Sequence, residues 1–299
     1  MANCTATWRP QGRGKLTARM KKLTLPASEP APVPPEGAAR KRELPALDII
    51  AEQFQFKDKA LGRLELLAVP EDRDWRIEKL RIANADSTLA AEGVFQTTPA
   101  QSPQSRTQVN LHLDVIDIGK LLTRLGYPEG VRRGAAKVEG TLTWAGDPQD
   151  FNYPALSGTL LVDAAKGQFV KLEPGIGKLL GILSLQALPR RISLDFRDIF
   201  SEGFAFDQII GAVKINRGIA TTENFRLQGP SARVVMTGEL DLARETQKLH
   251  VRITPSLSDS VSIAGALIGG PVAGVAAFLA QKMLKDPLDQ FASYEYGVS

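Results

Sequence analysis

From about Leu47 onward apolar residues recur at every second position through most of the chain, and this period of two restricts those stretches to strands with one apolar face each. Val109, Leu111, Leu113 and Val115 alternate with Asn110, His112 and Asp114; Val138, Leu142 and Trp144 with Lys137, Glu139, Thr141 and Thr143; Ile192, Leu194 and Phe196 with Ser193, Asp195 and Arg197. Val213 and Ile215, Phe225 and Leu227, Val234 and Met236, Leu240 and Leu242, then Leu249, Val251 and Ile253 continue the pattern. Short polar or Gly-containing turns separate the segments, for example Asn216 to Gly218 and Ala145 to Pro148. The expectation is an antiparallel meander of roughly a dozen or more strands, each about six residues long.

Helical period occurs in only three places. Asp117 can cap a helix through Leu125 that stops at Gly126 to Pro128, and Pro174 to Leu188 reads as an apolar helix ended by Pro189. The third, Ser262 to Ala280, is uncharged but broken by Gly269, Gly270 and Pro271, which predicts two short apolar helices in place of one long one. Ahead of the strands, Gly14 to Leu25 alternates briefly, and the Pro/Ala-rich stretch 26–45 reads as an extended linker or loop. The organisation read from the chain is therefore an incomplete strand segment (1–25), a linker (26–45), a repeated β domain with two short helices (46–260), and apolar C-terminal helices with a tail (261–299).

An internal repeat underlies the β domain. Leu80 to Phe95 lies without gaps over Phe225 to Leu240, and each is preceded by Asp-x-x-Leu/Ile-Gly, at Asp58 to Gly62 and Asp207 to Gly211. A repeated hairpin implies a sheet that grows in one direction, each unit burying its apolar face by continuing its neighbour's.

Composition removes most other functions. The chain is 43% hydrophobic, 23% charged and 6% aromatic, which excludes both a disordered chain and a multi-span membrane bundle. The net charge of +4 belongs to the first 45 residues, which hold nine Lys/Arg against three acids and leave 28 against 30 in the remainder. That body lacks the clustered cations and stacking rings of a nucleic-acid binder. A single cysteine, Cys4, excludes an internal disulfide framework, and His112 and His250 both fall on polar strand faces, reading as solvated strand histidines with no Cys, Glu or second His at ligand spacing. Gly175 to Lys178 lacks the upstream glycine and the Ser/Thr of a phosphate loop, and no nucleophile elbow or paired carboxylates occur. No enzyme activity, metal or cofactor is expected. Met1 to Pro26 has no apolar core of a signal peptide.

What remains is apolar surface. One-faced strands create a long hydrophobic face that three short helices cannot cover, and two solutions are open: a sandwich or barrel closed on itself, or a curled groove filled by something else, such as acyl chains. Short strands without aromatic girdles disfavour an outer-membrane barrel. Alternation alone does not separate the first two.

Phe206 to Gly211, Gly218, Phe225 to Ser231, Val234 to Leu242 and Val251 to Pro255, followed by the Gly-rich apolar pair and Asp286 to Phe291, resemble the C-terminal region of the AsmA-like proteins, and within them the YhdP branch, related to the TamB-like bridge proteins. The resemblance covers most of the chain from about residue 46. It implies a periplasmic, envelope-spanning β-groove that moves phospholipid between inner and outer membranes. Such relatives are much longer and begin with an inner-membrane helix; none is read here, so the expectation is a C-terminal part of such a protein or a split gene product.

On that implication the fold is mainly β, a long curled antiparallel sheet, and the function is a conduit without turnover, with a closed structural or partner-docking module as the alternative. The groove wall is then Val138, Leu142, Trp144, Ile192, Leu194, Phe196, Val213, Ile215, Phe225, Leu227, Val234, Met236, Leu249 and Val251. Ile263, Leu267, Ile268, Val272, Val275, Phe278 and Leu279, with Lys282, are expected to meet a membrane surface, that of the outer membrane. Phospholipid acyl chains, that membrane and an envelope protein are the expected partners.

Overall fold

The computed structural model describes residues 4–10, 13–26, 44–96, 105–128, 130–148, 153–170, 204–230, 232–244, 246–255 and 294–298. Fourteen strands follow one another in chain order: β1 (Cys4–Arg9), β2 (Lys15–Leu25), β3 (Ala46–Phe56), β4 (Lys59–Glu71), β5 (Asp74–Ala83), β6 (Ser87–Gln96), β7 (Arg106–Val115), β8 (Val131–Ala145), β9 (Ser157–Phe169), β10 (Phe204–Asn216), β11 (Ile219–Gln228), β12 (Ala232–Asp241), β13 (Thr246–Pro255) and β14 (Tyr294–Val298). They form one sheet in that same order, and β1 and β14 do not pair with each other, so the sheet is not closed. One helix is described, α1 (Ile118–Arg124), between β7 and β8.

Except for β1 and β14, the strands are longer than the six residues expected: β4, β9 and β10 have 13 residues and β8 has 15. Visible alternation lapses at small residues and kinks, yet backbone pairing runs through them. In β8 the stretch Arg132 to Ala135 carries a left-handed Arg133 (φ 58°) and Gly134 (φ 83°) and still pairs with β9. Every pairing is antiparallel except β2 with β3, which is parallel with Lys15 beside Ala46 and Leu25 beside Phe56. A tight turn cannot join parallel strands. The Pro-rich stretch 26–45 separates them in sequence and supplies the length such a return requires.

The repeat is present in the backbone. β5–β6 and β11–β12 each begin after a left-handed turn residue, Asp72 (φ 49°) and Arg217 (φ 47°). Each pair breaks register at the same point, between Ile77 and Leu80 and between Thr222 and Phe225. The hairpin ends match as well, with Asn84 N donating to Ser87 O at 2.9 Å and Gly229 N to Ala232 O at 3.0 Å. The flanking Asp-x-x-Leu/Ile-Gly motifs do not coincide, because Asp58 lies in the β3–β4 turn whereas Asp207 lies inside β10.

Cross-strand partners in a ladder share a face, so the register defines two surfaces. On the inner face, one row runs Ile49, Leu66, Leu80, Ala91, Leu111, Gly140, Leu160, Val213 from β3 to β10. A second runs Ala51, Leu64, Ile82, Leu89, Leu113, Val138, Val162, Gly211. Glycines on this face sit under larger neighbours: the Phe225 ring covers Gly211 and the Phe206 ring covers Gly167, each closer than a Cβ would allow. α1 packs Leu122 into the inner cluster with Val131 and Phe206, and reaches back four strands, where Arg124 donates to Ala60 O at 3.4 Å and pairs with Asp86 of the β5–β6 turn. At the other strand ends, Trp75 Nε1 donates to Pro45 O at 2.8 Å, and Arg13 Nη1 to Asp74 O at 3.5 Å. These ties across non-adjacent strands hold the sheet curled. α1 itself has the cap read from the sequence, with Asp117 Oδ1 accepting from Lys120 N at 3.0 Å.

The expected helix at 174–188, the strand at Ile192 to Phe196 and the two apolar helices within 262–280 lie outside the described residues. Within the C-terminal stretch read as helices and tail, Tyr294–Val298 is a strand on β13.

Candidate functional site: an apolar groove

Of the wall residues expected from the sequence, eleven are described, and register sets them on one face: Val138, Leu142, Trp144, Val213, Ile215, Phe225, Leu227, Val234, Met236, Leu249 and Val251. They differ in depth. Trp144, Ile215, Leu227, Val234 and Val251 are buried against their neighbours, Val251 completely. Val138, Leu142, Val213, Phe225, Met236 and Leu249 are half-buried. Ile192, Leu194 and Phe196, and all the membrane-contact residues from Ile263 to Lys282, lie outside the described residues.

The depth follows position along the strands. Toward one set of strand ends, Trp75, Phe95, Trp144 and Ile215 fill the inner face; toward the other, Phe54, Val131, Phe204 and Leu227 do. Between them, Ile49, Leu66, Leu80, Ile82, Leu89, Leu111, Leu113, Leu160 and Val162 stay half-buried. Large aliphatic side chains in the middle of a closed sandwich would be fully buried. Here a band of them keeps part of its surface open across eight consecutive strands, β3 to β10. The portion on β3 to β7 was not singled out from the sequence, although Leu111 and Leu113 belong to its clearest alternation. On β3 and β4, adjacent apolar residues such as Ile49 and Ile50 blur the period.

The outer face is mainly polar and ionic, although Leu161 and Ile210 stand exposed on it. Arg19 pairs with Asp48 at 2.6 Å, Arg63 with Glu52 at 2.7 Å and with Glu65 at 3.1 Å, and Lys79 with Glu65 at 2.5 Å. The hydrogen bonds from Lys79 and then Arg63 hold the Glu65 carboxyl below its ordinary value, and the bond to Glu65 raises Arg63. His112, read as a solvated strand histidine, lies between two carboxylates, Asp114 at 2.9 Å from Nε2 and Glu139 at 2.9 Å from Nδ1. Glu139 is on the neighbouring strand, so spacing along the sequence could not reveal it. Among the described residues no group of three or more His, Cys, Asp or Glu is placed to hold a metal ion. No helix among them is long and apolar enough to cross a membrane.

A wide, unclosed sheet with one apolar inner face and one mainly polar outer face is consistent with a curled β-groove protein. The YhdP protein family matches residues 2–299, and the chain belongs to that family. It is 29% identical over 214 residues to the intermembrane phospholipid transporter YhdP of Escherichia coli (strain K12), which covers 71% of this chain and 17% of that protein. The chain therefore spans less than a fifth of that relative's length. No solved structure matches it.

Proposed function

We propose that this chain is a segment of a non-enzymatic phospholipid conduit, in which acyl chains lie on the inner face and headgroups stay at the groove mouth. The observation that carries the reading is the half-open band from Ile49 to Val213, which leaves apolar surface exposed where a closed core would have none. Contiguous apolar surface of that extent marks a binding surface in a protein that folds in water. The role of the Escherichia coli relative, intermembrane phospholipid transport, suggests the occupant.

The energetics suit passage over capture. At about 0.8 kcal/mol per buried methylene, a partly covered sixteen-carbon chain gains on the order of 10 kcal/mol relative to water. Relative to a bilayer interior the gain is near zero, so lipid enters and leaves without a deep trap. No titratable group or metal is needed. In this reading the protein works in the periplasm, and the 263–282 segment meets the outer membrane surface, with Lys282 at lipid phosphates.

The test is a mass spectrum of the protein purified without detergent. Phospholipid bound in near-stoichiometric or greater amount is expected. Lipid-free protein that remains folded would overturn the proposal in favour of a structural or docking module.

A further inference from the structure

At the strand ends where β8 begins and β9 finishes, three cations stand together. Arg132 is opposite Gln168, Arg133 is opposite Gly167, and Lys166 immediately precedes Gly167 on β9. All three are exposed, and none has a counter-ion or hydrogen-bond partner among the described residues. Arg19, Arg63, Arg76 and Lys79 on the outer face of the N-terminal half each have a carboxylate, whereas Arg81 there and Lys137, Lys214 and Arg226 on the outer face of later strands stand unpaired among the described residues like these three, but one at a time.

The backbone beneath them is also unusual. Arg133 and Lys166 are both left-handed, with φ 58° and 57°, on facing strands, a conformation uncommon for residues other than glycine. Through this kink Arg133 occupies an inner-face register position, opposite the glycine under the Phe206 ring, and nevertheless remains exposed. Arg133 thus sits at the boundary of the apolar face, Lys166 at the register shift beside it, and Arg132 at the same strand end on the outer side of the rim. Val131 is adjacent in sequence, Phe169 and Phe206 are within 5.2 Å of each other between centroids, and Ile118 of α1 lies against Gly134.

Cations without counter-ions beside the half-buried Phe169, with the buried Phe206 ring behind it, match one ligand chemistry, a phosphate attached to acyl chains. We propose that Arg132, Arg133 and Lys166 form a headgroup station on the groove rim that selects phospholipids of net negative charge. The inference rests on the conduit reading and adds to it a place and a preference. Free phosphate would meet the same charges but gain nothing from the half-buried Phe169 and Ile118, and zwitterionic lipid would bring its own cation to the site.

The experiment loads the full chain from vesicles of equal phosphatidylglycerol and phosphatidylcholine with matched acyl chains, and measures both bound lipids by mass spectrometry. About fivefold enrichment of phosphatidylglycerol is expected, from an attraction of the size found for one basic residue near an anionic lipid surface. The R132Q/R133Q/K166Q variant is expected to load the same total lipid at a ratio near one, whereas the outer-face variant K137Q/R226Q keeps the enrichment. A normal total load with no enrichment, or with enrichment unchanged in the triple variant, overturns the station alone. Absence of any lipid load overturns the conduit reading and the station with it.

Discussion

At the residue scale the sheet depends on places where a side chain is missing as much as on those where one is present. Gly140, in the middle of the inner face of β8, would place a Cβ 2.0 Å from Thr159 O of β9, a backbone atom that cannot swing aside. Gly140→Ala should therefore cost about 1–3 kcal/mol, read as a lower urea midpoint; an unchanged midpoint would contradict this approach of β8 to β9. Sequence alone marks Gly140 as a lapse in alternation and gives no hint that a neighbouring strand fills the gap. Glu65 yields a pH prediction. Its folded-state carboxyl is lowered from the ordinary 4.5, so its contribution to stability is present above that value and is lost as pH falls through the lowered one. Glu65→Gln should be less stable than the parent near neutrality by a small margin typical of exposed pairs, and the margin should vanish in acid. A margin independent of pH would assign the effect to packing instead of charge.

Elements carry a different kind of information. α1 was legible because its signals are local: Asp117 caps it, and Gly126 and Pro128 follow its end. Its role was not, since Arg124 finds Asp86 at 38 residues' separation across the groove edge. Asp117→Ala should cost about 1 kcal/mol and speed amide exchange in α1 selectively; uniform acceleration through β7 and β8 would show that the helix is not a separate unit. The parallel pairing of β2 with β3 was likewise hidden, because alternation assigns faces within a strand and says nothing about the direction of its neighbour. The Asp58 and Asp207 motifs agree in type yet fall in a turn and a strand, whereas Leu80 and Phe225 agree in bulge, turn and face, so the apolar spacing proved a better guide than the polar signature.

For the whole molecule, period-two alternation with a repeated hairpin predicted a sheet extending strand by strand, and the fourteen strands in sequential order bear that out. Pattern could not report depth. Leu227 and Leu160 read alike in sequence, yet Leu227 is 5% exposed at a filled strand end while Leu160 remains half-buried in the central band. Whether that band touches lipid is the central claim, and site-specific photo-crosslinking in cells tests it most directly. A photoreactive residue at Leu111, Val138 or Leu160 on the inner face should capture phospholipid, while one at Asn110, Glu139 or Thr159 on the outer face of the same strands should not. Equal capture on both faces, or none on either with the protein folded, would contradict the account.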